Sequence, residues 1–154
     1  MLNKRKRLLQ GILVVSAIEI LCFYFIGRNY LFVNGLDNMM IYIVLGNVFF
    51  FASYFLLVEP SNFRKKYILI SIAYALLVVA PFVYKSRVPN FNVDDAKQII
   101  ERTEGGHVIK DRKFSGTIVD YSGQEVYIIT MEKNSKVERF AFDPNTEKYY
   151  TFAN

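Results

Sequence analysis

Few residues in this chain have the type and spacing that chemistry requires. A nucleophile needs a base within hydrogen-bond reach, and a metal ion needs three or four ligands. The single histidine, His107, follows Gly105-Gly106, and the single cysteine, Cys22, lies inside an apolar run. There is no H-E-x-x-H, C-x-x-C, G-x-S-x-G or phosphate-loop pattern. Asp143 and Glu147 place two carboxylates around a turn without the spacing of a calcium loop. Gly105-Gly106 reads as a helix stop, because no strand precedes it. His107 reads as a rim residue at a strand start, and one cysteine excludes an intramolecular disulfide. These residues predict neither an enzyme nor a cofactor or metal site.

The polar residues that remain, Glu19, Asn47 and Tyr74, lie in long apolar stretches, and those stretches must be placed first. Residues 8–26, 40–58 and 67–84 are runs of 18 or 19 residues, apolar on every side. Crossing a bilayer core takes roughly 17–25 helical residues, so each run spans once. A soluble core helix would show a polar face, and none does. Lys4-Arg5-Lys6-Arg7 resembles the start of a signal peptide, but Gly27-Arg28-Asn29-Tyr30 offers no small-x-small cleavage site. The first run is therefore expected to stay as an anchor. Leu21 before Cys22, with Glu19 close by, argues against lipoprotein processing.

Charge divides the chain. Residues 1–89 carry ten Lys/Arg against three Asp/Glu, and residues 90–154 carry nine against eleven, so net charges of +7 and −2 make the total of +5. The basic balance belongs to the flanks of apolar runs, which removes the support for a nucleic-acid partner. Four cations precede the first run, Arg64, Lys65 and Lys66 stand in the second connection (59–66), and the first connection (27–39) has only Arg28. Cation-rich short loops stay in the cytoplasm. The expected topology is N-terminus in and C-terminal domain out, in a cell membrane, although Lys85 and Arg87 weaken the contrast. Richness in Phe, Tyr, Ile, Asn and Lys fits a low-GC bacterium.

Glu19 lies seven residues before Ile26, and Asn47 seven residues after Met40. Both therefore sit about 10 Å below the same boundary, with Tyr74 of the third run a turn or so deeper. An ionised carboxylate there costs at least about 3 kcal/mol. Three readings stand: a Glu19–Asn47 hydrogen bond fastening two helices, a proton or cation relay, and a contact with a cation on a partner's helix.

After a short stalk (85–92), Asn92 and Asp95 form an N-cap pair, and Val93, Ala96, Ile99 and Ile100 recur at helical spacing up to the Gly-Gly stop. Residues 114–121, 125–131, 137–143 and 148–152 read as strands. A hairpin at Ser122-Gly123 sets Val119 against Val126, Ile118 against Tyr127 and Gly116 against Ile129. A second at Asn134-Ser135 sets Phe140 against Ile129 and Phe142 against Tyr127. One face collects Phe114, Ile118, Tyr127, Ile129, Met131, Phe140 and Phe142, which the helix should cover. The other carries Thr117, Val119, Tyr121, Val126, Ile128 and Val137; a half-apolar face without a covering helix is a candidate partner-binding surface. The expected fold is a three-helix transmembrane bundle (1–89) followed by a small α+β domain (90–154), one helix on an antiparallel sheet of three to four strands.

The segments Val93–Ile100 and Phe142–Lys148, a helix start with Ala96 and Ile99 and a D-x-x-T turn at Asp143–Thr146, resemble a PepSY-type domain over residues 91–154. Glu147 stands where that family commonly has glycine. The resemblance implies an extracytoplasmic, membrane-tethered module that restrains a peptidase or serves envelope regulation, without catalytic residues. The expected function is an anchored binding or regulatory module with a protein or peptide partner. The alternatives are an immunity protein against a bacteriocin-like peptide and an accessory subunit of a membrane transporter. Self-association is left open.

Overall fold

The computed structural model describes residues 2–58, 62–111, 118–121 and 123–152. The chain separates into two compact units. Met1–Phe25 with Gly35–Arg87 forms the first, and Ile26–Asn34 with Val88–Asn154 the second.

The first unit is built on α1 (Leu2–Asn29), α2 (Leu36–Ala52, continued by a π turn at Ser53–Leu57) and α3 (Phe63–Arg87). The segments 4–29, 33–57 and 63–87 are long and apolar enough to cross a membrane. Each outlasts its apolar run because the flanking polar residues continue the helix. Arg64–Lys66 therefore lie in the first turn of α3 and not in a connection, with the Asn62 side chain accepting from Lys65 N at 3.2 Å. Buried residues recur every three, four or seven positions: Ile12, Ser16 and Phe23 on α1, and Ile70, Ala73, Leu77 and Tyr84 on α3. Tyr84 stacks on Phe23 with ring centroids 4.0 Å apart, and its hydroxyl donates to the Phe23 carbonyl at 2.8 Å. The remaining faces stay apolar and open, with Phe49 71% and Leu56 81% exposed. Such surface is costly against water and costs nothing against lipid. Toward the N-terminal end, Arg5 sits 4.2 Å from the Phe63 ring centroid and Lys66 5.0 Å from that of Tyr54, the pairing expected of interfacial cations and aromatics.

The second unit holds α4 (Val93–Glu104) and a five-stranded antiparallel sheet: β1 (His107–Val108), β2 (Ile118–Tyr121), β3 (Gln124–Lys133), β4 (Lys136–Phe142) and β5 (Tyr149–Thr151). Strands β1 and β2 share one edge of β3, followed by β4 and β5. The helix starts in a capping box: the Asn92 carboxamide accepts from Asp94 N and Asp95 N, and Asn92 N donates to the Asp95 carboxylate at 3.0 Å. It ends at Gly105, whose φ of 69° is the left-handed cap. Gly106 then passes so close to β3 that a Cβ would meet the Glu132 carbonyl at 2.8 Å. Both hairpins have the expected register, Val119 opposite Val126 and Ile129 opposite Phe140. Asn134 and Ser135 both take positive φ, as a two-residue hairpin turn demands. The expected positions of Phe114, Gly116 and Thr117 lie outside the described residues. The added strand β1 pairs His107 with Glu132 and Val108 with Met131; two residues are too short for a periodic signal.

The core of this unit joins Ala96 and Ile100 of α4 to Tyr127, Ile129, Met131, Phe140 and Phe142 of the sheet. Its eighth buried member is Val33, from the connection between α1 and α2. Residues 26–34, expected within the transmembrane region as the end of the first run and part of the first connection, belong to the C-terminal unit, because the buried side chain of Val33 completes its core. This connection is tight. Helix α1 runs on to Asn29, a 3-10 turn spans Val33–Gly35, and Leu31, Phe32, Asn34 and Gly35 all have positive φ.

Candidate functional site

The three intramembrane polar residues do not form one cluster. Asn47 Oδ1 accepts from the Ser16 hydroxyl at 3.3 Å, and that hydroxyl also bonds the Ile12 carbonyl at 2.8 Å. The Tyr74 hydroxyl donates to the Leu8 carbonyl at 3.0 Å, in space left by the missing side chain of Gly11. Buried Glu19 Oε2 has no hydrogen-bond partner among the described residues. The expected Glu19–Asn47 bond is therefore replaced by Ser16–Asn47: Ser16 lies one turn nearer the N-terminus on α1, and its short side chain is buried at 2% exposure. The sequence does not state which residue of α1 faces Asn47, because a helix apolar on every side carries no mark of its buried face. Cys22 is exposed on α1.

The second sheet face is far less open than expected. Val126 and Ile128, expected on a docking surface, are buried at 3% and 5% exposure in a small second core with Ala141, against which Val119 and Phe152 pack. The physical reason is that Phe152, just past β5, packs against this cluster; Tyr121 in turn meets Phe152 at 6.0 Å and stacks with Tyr150 at 6.5 Å. Further along, Asp111 takes Arg139 Nε at 2.9 Å and the Thr130 hydroxyl at 3.2 Å. Val137 remains open, at 57% exposure.

The concave feature of this unit lies elsewhere. A cleft of about 740 Å³ opens between α4, the segment from β1 onward, the Tyr127–Thr130 stretch of β3 and the end of α1. Leu31, Val93, Val108 and Ile109 give it apolar lining; Arg28, Asp94, Lys97, Glu101 and Lys110 give it charge. Its three cations and two carboxylates differ in their engagement. Lys97 Nζ holds Asp94 at 2.7 Å. Glu101 accepts from Val108 N at 2.7 Å and lies 3.4 Å from Nδ1 of His107, whose ring is otherwise in solvent. Arg28 and Lys110 have no ion pair among the described residues.

Tyr127 anchors the cleft wall. Its hydroxyl lies 3.2 Å from the Tyr30 carbonyl and 3.4 Å from that of Phe91, so one buried phenol ties the α1–α2 connection to the stalk. Burial, reinforced by Tyr30 and Asp95, pushes its pKa well above the ordinary phenol range. The Asn34 carboxamide adds a bond to the Asn145 side chain at 3.3 Å. Sequence reasoning missed Arg28, Tyr30 and Val33 as domain residues; the signal available was an aromatic-apolar stretch, Tyr30–Val33, in a connection that had no other reason to be apolar.

The turn after β4 is closed by Asp143, buried at 6% exposure, whose carboxylate accepts from Asn145 N at 2.8 Å and from the Thr146 hydroxyl. Glu147 follows at φ 65°, a conformation that favours glycine. Among the described residues no three His, Cys, Asp or Glu side chains converge as a metal site. The chain matches no protein family, no curated protein and no solved structure.

Proposed function

We propose that the chain is a membrane-anchored binding module whose C-terminal domain docks a protein or peptide partner outside the cytoplasm. The observation that carries this is the cleft of about 740 Å³, lined by both apolar and charged side chains, within the roughly 300–1,000 Å³ range of ligand sites. The N-terminal cations and Arg64–Lys66 favour a cytoplasmic N-terminus. Residues 26–34 and 88–154 share one unit and so require one side of the membrane, which three alternating crossings supply. The PepSY-type resemblance draws support from the capped helix, the glycine stop and the Asp143–Thr146 turn, with Glu147 in a left-handed conformation that would suit the glycine common at that place in the family.

A second reading, an accessory subunit of a larger membrane protein, is favoured by one observation. An apolar groove of about 470 Å³ runs along α2 and α3, lined by Gly46, Asn47, Ala73 and Leu77 among others. Small residues at such a groove let another helix approach closely.

Affinity purification of the full chain in mild detergent separates the two. Lys97→Trp fills the cleft, and Gly46→Leu fills the groove. Loss of the partner on Lys97→Trp alone supports the docking module, and loss on Gly46→Leu alone supports the subunit reading. A partner set unchanged by either substitution refutes both.

A further inference from the structure

The cleft differs in sign from the unit that contains it. Residues 88–154 carry a net −2 and residues 26–34 add only Arg28, leaving the unit at −1. Yet among the described residues the cleft cations Arg28 and Lys110, both exposed, have no ion pair, while Asp94 is held by Lys97 and Glu101 accepts from the Val108 amide beside His107. An incoming anion meets two available cations. An incoming cation meets carboxylates that already have partners.

We propose, resting on the docking reading above, that the segment seated in this cleft is an acidic peptide segment with apolar side chains between its carboxylates. A guanidinium such as Arg28 takes a carboxylate through two parallel hydrogen bonds, and Lys110 acts as a point charge for a second. Leu31, Val93 and Ile109 receive the intervening apolar groups. A phosphate headgroup fits less well. Asp94 and Glu101 also line the cleft and repel a compact dianion placed among them, whereas separated carboxylates address Arg28 and Lys110 one at a time. The basic cleft on an acidic unit also steers an acidic segment toward its seat, an effect that salt weakens.

The test is selection from a random peptide library on the full chain in nanodiscs of zwitterionic lipid, counting only peptides displaced by Lys97→Trp. The expected winners are net negative, and Arg28→Gln with Lys110→Gln weakens them by about tenfold while thermal melting of the chain is unchanged. Added salt should shrink that difference. Cleft-dependent winners that are neutral or basic, or that ignore the double substitution, overturn the acidic-segment inference and leave docking intact. The absence of any peptide displaced by Lys97→Trp overturns the docking reading itself. In nanodiscs containing anionic lipid, retained binding supports the inference. Loss of binding there assigns the two cations to headgroups and overturns the peptide as occupant.

Discussion

Val33 offers a sharp test of the idea that the connection between α1 and α2 is part of the C-terminal unit's core. Its side chain is fully buried with Ala96, Ile100, Tyr127 and Phe142. Val33→Ala removes two carbons, worth about 1.6 kcal/mol of transfer energy, and the residual cavity brings the cost to about 2 kcal/mol. That is about a 30-fold rise in the open population. The assay is amide hydrogen exchange on the full chain in nanodiscs, reading the β3 and β4 amides, which lie more than ninety positions from the substitution. Val48→Ala serves as the control, since Val48 is 60% exposed on α2 and should leave the sheet unchanged. Faster exchange confined to residues 26–40, with β3 and β4 at wild-type rates, would refute the reasoning. The same substitution should also loosen Leu31, Phe32 and Asn34, whose positive φ angles cost on the order of 1 kcal/mol each and persist only under constraint from the surrounding packing.

Glu147→Gly should stabilise the C-terminal domain by about 0.5–1 kcal/mol, because a left-handed backbone no longer carries a side chain; an unchanged or lower melting temperature counts against the turn geometry. Gly106→Ala should destabilise it by about 1–3 kcal/mol, since its Cβ would press on the Glu132 carbonyl and the Met131 side chain; denaturant melts of the two proteins that superimpose would contradict this. Alkaline pH should unfold the domain. Tyr127, through burial, and Tyr149, through burial and its 3.1 Å hydrogen bond to the Glu104 carboxylate, have raised pKa values when folded. Their stabilising contribution is complete below the unfolded phenol pKa of about 10 and is lost as pH rises through the folded values. Phenolate absorbance should therefore appear in step with unfolding, and Tyr127→Phe with Tyr149→Phe should flatten the alkaline limb. Ionisation of both phenols in a still-folded domain would be the contrary result.

Much of the fold follows from local rules that a sequence states openly. Lengths of apolar runs determine three helices long enough to cross a bilayer, and the Asn92–Asp95 box with Gly105 determines where α4 starts and stops. The two-residue turns determine both hairpin registers, because a side-chain period of two leaves one alignment that keeps Tyr127, Ile129, Phe140 and Phe142 on one face. The candidate site was barely legible. Helices that are apolar all round carry no periodic mark of their buried face, so tertiary packing alone paired Asn47 with Ser16 and left Glu19 Oε2 without a partner among the described residues. The small second core is likewise a product of packing, with Val119 and Phe152 against Val126, Ile128 and Ala141. The cleft needs Arg28 and Leu31 beside Val93 and Lys110. Tyr30 meets Tyr127 across 97 positions of chain, and Val33 shares a core with it. Contacts at that separation depend on how the whole unit closes, which composition and periodicity do not encode, so the three long apolar helices were determined by sequence alone and the cleft only by the tertiary structure.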